Sequence, residues 1–168
     1  GTGCILLALL RRLPGATGVG IDLSGLAVAT AAANARANGL GGRAEAVRLP
    51  FHELGALGGG QLGPFQLVVS NPPYLPEKVA LTHVGFARDL ASQPAAAFAA
   101  GADGLRAYGE IAAALARPGL LSPGAWVVMG CQPGRAAWAA GPFLAHGGYE
   151  VASEARECVV LRWPHARR

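Results

Sequence analysis

The chain has 168 residues, of which 52% are hydrophobic and 14% charged, with a formal net charge of +4. That length suits one domain with a real core, and the apolar content excludes a disordered chain. The positive charge is modest and dispersed, so wholesale binding to nucleic acid or to a membrane surface is not implied.

The first apolar run, Cys4 to Leu13, reads as a helix closed by Pro14-Gly15. Its core from Cys4 to Leu10 is far too short to cross a membrane and is followed, not preceded, by arginines. It is therefore neither a signal peptide nor a transmembrane helix. The chain opens at Gly1 without a methionine and inside a glycine motif, and it reads as N-terminally incomplete.

Gly18 to Leu23 is a short strand, and Ser24 is the N-cap of a helix to about Asn38, with Gly39 as its C′ residue. Ala44 to Leu49 is a weak strand, Gly55 to Gly63 a surface connection, and Phe65 to Ser70 a buried strand. An irregular region runs to about Gly101. Asp103 to Ala116 is then a helix, Gly124 to Gly130 a strand and Gly134 to His146 a helix. Tyr149 to Glu154 and Glu157 to Trp163 close the chain as a strand pair. Strands alternating with helices at this spacing indicate a mostly parallel, doubly wound α/β sheet. Ligands of such sheets bind beyond the carboxyl ends of the strands, where both Asp22 and Asn71 fall.

Two constellations carry chemistry. Gly1-Thr2-Gly3 opens a helix, and Asp22 follows nineteen positions after Gly3 at a strand end. Glycines allow close backbone approach, a helix N-terminus offers N–H groups, and a strand-end carboxylate can accept both hydroxyls of a ribose. A tight turn followed by an ordinary helix-start aspartate accounts for the same residues. The second constellation is Asn71-Pro72-Pro73-Tyr74. An amide nitrogen or exocyclic amine is a poor nucleophile, and a site that alkylates it must accept hydrogen bonds from its N–H groups. The Asn71 side-chain oxygen and the Pro72 carbonyl can do so together. The two prolines fix φ in advance, and Tyr74 can cover a planar group. The competing explanation is a strand-terminating turn with Tyr74 packed on the sheet.

On these residues the chain resembles the class I S-adenosylmethionine-dependent methyltransferases, and among them the HemK-type protein-(glutamine-N5) methyltransferases that act on peptide-chain release factors. "GTGCILLALL" is similar to the second half of the family's glycine-rich motif, and "GIDLSGLAVATAAANARANGL" follows with Asp22 at the ribose acid. "FQLVVSNPPYLP" is similar to the catalytic strand and loop. "QPAAAFAAGADGLRAYGEI", with Gly101, Asp103-Gly104-Leu105 and Tyr108, resembles the segment that marks the glutamine enzymes. The family's adenine-contacting acid is expected near the position that Leu49 holds, and Gln93 stands where the family usually has glutamate before Pro94.

The resemblance implies a seven-stranded class I sheet ending in an antiparallel hairpin, its first strand missing from this chain along with an N-terminal helical domain. It implies methyl transfer from S-adenosylmethionine to a glutamine side-chain amide in the Gly-Gly-Gln loop of a release factor. Asn71, Pro72 and Tyr74 are the catalytic candidates, with Pro73 completing the acceptor loop. Gly1, Thr2, Gly3, Asp22, Leu23 and Asn71 are the cofactor candidates. A cytoplasmic monomer with no membrane or direct nucleic-acid partner is expected. Methylation of an RNA or DNA amine, or a non-catalytic relic of the fold, remain the alternatives.

Other residues invite less. Cys4, Cys131 and Cys158 form no Cys-x-x-Cys pair and read as small core residues. His52, His83, His146 and His165 have no metal-ligand spacing, so no metal is expected. Trp126, Trp138 and Trp163 read as packing residues, and Ser70 lacks the context of a hydrolase nucleophile.

Overall fold

The computed structural model describes residues 1–58, 62–83 and 97–163. Its backbone contacts group into two compact units, Gly1–Leu54 and Gly55–Arg168.

In the first unit, helix α1 (Cys4–Arg12) leads to strand β1 (Gly18–Asp22), helix α2 (Gly25–Ala37) and strand β2 (Ala44–Arg48). β1 and β2 pair in parallel, with Gly18 opposite Ala44 and Asp22 opposite Arg48. A small core of Leu7, Leu10, Ala35 and Leu40 holds the helices to this ladder. α2 is bounded as its sequence demands. The Ser24 hydroxyl accepts from the Ala27 N–H at 3.3 Å, and Gly39 takes the left-handed φ of +70°. Arg43 ends α1 from a distance: its guanidinium donates to the carbonyls of Leu10, Leu13 and Ala16 at 3.0, 3.1 and 2.9 Å.

The second unit begins in a 3₁₀ helix (Phe51–Gly58) that the two units share. It continues through β3 (Phe65–Ser70), α3 (Glu77–His83), α4 (Arg106–Leu115), β4 (Leu121–Gly130), α5 (Ala136–Ala145), β5 (Glu150–Ala155) and β6 (Cys158–Arg162). The sheet order is β3-β4-β6-β5, with β3 and β4 parallel and the β4–β6 and β6–β5 pairs antiparallel. Along β4, Ala125, Val127 and Met129 alternate into the core, where Met129 lies opposite Val159 and Val127 opposite Leu161. Tyr108, Ile111 and Leu115 of α4 and Phe143 of α5 complete that core.

The alternating α/β order, the parallel pairs and the final hairpin agree with the reading of the sequence. The described residues hold six strands in two sheets. Several expectations are corrected. Part of the stretch taken as irregular is helical, as α3. The helix expected from Asp103 begins at Arg106, because Gly104 takes a left-handed φ of +82° that a helix cannot contain. β4 begins three residues earlier than its apolar core suggests, at Leu121. The connection from Gly55 is partly a 3₁₀ turn.

β3 is less buried than its composition implies, with Leu67 37% exposed, because the strand pairs only with β4 among the described residues. Cys4 is exposed on α1, whereas Cys131 is buried. Trp126 is also partly exposed, its ring lying beneath the Arg162 guanidinium at 4.7 Å. Trp138 and Trp163 do pack as expected, edge-on to Tyr108 and Tyr149.

Candidate functional site

In the second unit, β3 delivers its chain directly into Asn71, which is exposed, and Pro72, which is buried. A strand that ends in Pro-Pro cannot extend its ladder, so the backbone must find other partners. It finds them in the segment just before α4. The Leu75 N–H donates to the Phe98 carbonyl and the Ala100 N–H to the Leu75 carbonyl, both at 2.9 Å, forming a parallel bridge between Leu75 and Ala99. The Glu77 N–H donates to the Gly101 carbonyl at 2.9 Å. Gly104 lies so close to the loop that a Cβ there would fall 2.5 Å from the Tyr74 carbonyl oxygen. Asp103 fixes that turn by accepting the Leu105 N–H at 2.9 Å. The "GADGL" turn is thus the mould of the NPPY loop.

Behind Asn71 lies the end of β4. A Cβ on Gly130 would fall 2.5 Å from the Asn71 Oδ1 and 3.1 Å from its Cγ. The Gly130 carbonyl accepts the Tyr108 hydroxyl at 2.7 Å. Tyr108 is wholly buried and meets Trp138 edge-to-face, with ring centroids 5.7 Å apart. Burial pushes its phenol far above the usual range, with further pushes from Cys131 and Tyr74, so it stays a donor. Asn71 is exposed on a proline-fixed loop, and its carboxamide oxygen, resting against Gly130, is the candidate acceptor for a planar amide.

In the first unit, Gly3 is the N-cap of α1 in the left-handed region, with φ of +80°. It also approaches α2 closely, a Cβ there falling 3.1 Å from the Ala31 Cβ. The Asn34 side chain donates to the Thr2 carbonyl at 2.9 Å and ties the turn to α2. Asp22 ends β1. Its Oδ1 accepts the Ser24 N–H at 2.8 Å, and its Oδ2 contacts the Gly1 amine. Burial works to raise the Asp22 pKa, but the hydrogen bonds from the Gly1 amine and the Ser24 backbone outweigh it and hold the carboxyl below its usual value.

The ionised Asp22 carboxylate stands at the carboxyl end of β1, where a strand-end acid could hold a ribose diol. Leu23 beside it is 59% exposed, its carbonyl held by the Arg48 Nε at 2.9 Å. The Leu49 N–H donates to the Asp22 carbonyl at 3.1 Å, so the residue near the expected acid does stand at this strand end.

The structure therefore gathers Gly1, Thr2, Gly3, Asp22 and Leu23 at one end of the first unit, and Asn71 through Tyr74 in one loop of the second. Among the described residues no group of three His, Cys, Asp or Glu could hold a metal. His52 is exposed, 3.6 Å from Glu53. Gln93, Pro94 and His165 lie outside the described residues, as does the His83 side chain. Sequence reasoning missed the contact between Gly130 and Asn71. The only signal for it was a glycine closing an apolar strand.

No family model matches the chain. It is 42% identical over 155 residues to a release factor glutamine methyltransferase of Rhodospirillum rubrum, covering 90% of this chain and 44% of that protein. A release factor glutamine methyltransferase of Agrobacterium fabrum is 42% identical over 67% of this chain and 36% of its own length. One from Geobacter sulfurreducens is 35% identical over 88% of this chain and 48% of its own. The chain thus spans less than half the length of these curated relatives.

Among solved structures, an O-methyltransferase family protein from Burkholderia thailandensis superimposes with a TM-score of 0.60 at 19% identity. That match covers all of this chain and 49% of the other. The hMettl16 catalytic domain, solved in complex with a MAT2A 3′UTR hairpin, gives 0.62 at 16% identity, over 98% of this chain and 61% of its own. The fold is that of the class I, Rossmann-like methyltransferases.

Proposed function

We propose that this relative of the release factor glutamine methyltransferases transfers a methyl group from S-adenosylmethionine to the side-chain amide nitrogen of a glutamine. The acceptor would be the glutamine in the Gly-Gly-Gln loop of a peptide-chain release factor. The observation that carries the reading is 42% identity over 90% of the chain to a protein of that name, together with an exposed Asn71 on a moulded loop.

In this reading the Asn71 side-chain oxygen and the Pro72 carbonyl accept the two N–H groups of the glutamine amide. That orients the nitrogen lone pair for attack. Tyr74 lines the pocket and covers the amide plane, and Pro73 holds the loop's φ. No side-chain base is required before attack, because the nitrogen sheds its proton to water only after the new C–N bond has formed and the methyl–sulfur bond has broken, leaving S-adenosylhomocysteine. Asp22 accepts the ribose hydroxyls, Leu23 lies against the adenosine, and Gly1, Thr2 and Gly3 line the amino-acid end. S-adenosylmethionine, when bound, supplies a methyl group activated by its sulfonium. The protein partner is the release factor, with no direct nucleic acid or membrane contact, and the protein acts as a cytoplasmic monomer. Among the described residues no helix is long and apolar enough to cross a membrane.

The test offers the chain methyl-labelled cofactor with release factor in one arm and RNA in another. Label on the Gly-Gly-Gln glutamine, reduced at least about a hundredfold by Asn71→Ala, is the expected result. Label on RNA overturns the substrate. Absence of cofactor binding by calorimetry overturns the activity.

A further inference from the structure

We propose that Gly130 and Tyr108 are positioning residues for Asn71: the buried phenol fixes the end of β4, and the side-chain-free face of Gly130 sets the orientation of the Asn71 carboxamide. The inference rests on the acceptor role given to Asn71 above.

Gly130 does not need to be glycine for its own backbone, because it is not among the glycines with positive φ. What it lacks is room. Its missing Cβ would lie 2.5 Å from the Asn71 Oδ1, 3.1 Å from Cγ and 3.3 Å from Cα. Real Cβ atoms do not approach other atoms so closely, so any larger residue must turn the carboxamide away. Gly130 cannot drift aside to make space. The Tyr108 hydroxyl holds its carbonyl at 2.7 Å. β6 pairs Cys158 opposite it, and the Cys131 N–H is held by the Glu157 carbonyl at 2.9 Å.

Tyr108 in turn has no freedom, being 0% exposed and pressed edge-on against Trp138. A merely structural role for Tyr108, as a core tyrosine with a satisfied hydroxyl, explains its burial. It does not explain why the residue it anchors carries no side chain where Asn71 leans in. The two facts together describe a stop against which the carboxamide rests.

The experiment compares Gly130→Ala, Tyr108→Phe and Asn71→Ala in the full chain. In a two-dimensional ¹⁵N–¹H spectrum the Asn71 side-chain amide pair is assigned by its loss in Asn71→Ala. Gly130→Ala is expected to move that pair while leaving the dispersed backbone pattern in place. Tyr108→Phe, which keeps the ring packing, moves it less. An unmoved pair in both variants overturns the proposal.

In methyl transfer, Gly130→Ala is expected to lower kcat about a hundredfold with KM for the cofactor unchanged, as misplacement of a catalytic group does. Combined with Asn71→Ala it should cost nothing further. Losses that multiply in the double variant, or a raised KM with unchanged kcat, overturn it. If the unmodified chain transfers no methyl group to glutamine, the proposed function is what fails. The amide spectra then decide the positioning role alone.

Discussion

Replacing Gly104 by alanine isolates the contact that moulds the acceptor loop. Two costs act at this position. The backbone sits at φ of +82°, where an L-residue loses about 1–2 kcal/mol to clash with its own carbonyl. The new Cβ would also lie 2.5 Å from the Tyr74 carbonyl oxygen and 3.2 Å from the Trp138 ring, and the nearer neighbour is backbone that cannot swing away. Overpacking of this kind costs about 1–3 kcal/mol. Alanine narrows the unfolded ensemble and returns about 0.5–1 kcal/mol, leaving a net loss of about 1–4.5 kcal/mol.

Gly101 provides the control. Its φ is +79°, but a Cβ there meets only the Arg106 Cβ at 3.3 Å. Gly101→Ala should therefore carry the strain and little of the clash. Urea unfolding of both variants reads the difference, with an unchanged slope and a midpoint about 1 M lower for Gly104→Ala than for Gly101→Ala. Equal midpoints would refute the assignment of Gly104 as the mould of the loop.

Gly109 lies inside α4 with nothing within 4 Å of its missing Cβ, so Gly109→Ala should raise stability by about 0.5–1 kcal/mol, read as a higher melting temperature. A loss would show hidden crowding on that helix face. Asp22 supplies a pH signature. Its folded pKa lies below its unfolded value, so its stabilisation is complete above the ordinary carboxylate range and is lost as pH falls through the folded pKa. Asp22→Asn should be less stable than the unmodified chain at pH 7, with the gap closing below about pH 4. A gap that persists undiminished to strong acid would contradict the hydrogen bonding described.

Much of this architecture is legible in one dimension because its signals are local. Ser24 and Gly39 bracket α2 by capping chemistry that acts within a few residues, and the structure uses both as read. The alternation along β4 and the Pro-Pro stop after Asn71 are likewise local. The start of α4 is hidden from the sequence for a physical reason. Asp103 and Leu105 look like helix residues, but the requirement on Gly104 comes from Tyr74, thirty positions away, through a contact no periodicity encodes. The exposure of Leu67 escaped for a similar reason, because the burial of a strand depends on its neighbours rather than its own composition. The Gly130 contact is the clearest example. The sequence displays a glycine at a strand end, and only three-dimensional proximity gives that glycine a purpose.

The guanidinium of Arg43 makes the end of α1 a non-local object. The carbonyls of Leu10 in α1, Leu13 at its C-cap and Ala16 just beyond are gathered by one planar cation from the start of β2, about thirty residues downstream. The Leu13 N–H already closes α1 on the Leu9 carbonyl, so what Arg43 adds is a tie between that helix end and the start of β2. Amide hydrogen exchange at Leu13 and Ala16, whose N–H groups bond within this helix end, reads how far that tie protects it. The charge-bearing fork also makes lysine a poor substitute at this position, since a point charge cannot span carbonyls that a planar group reaches together.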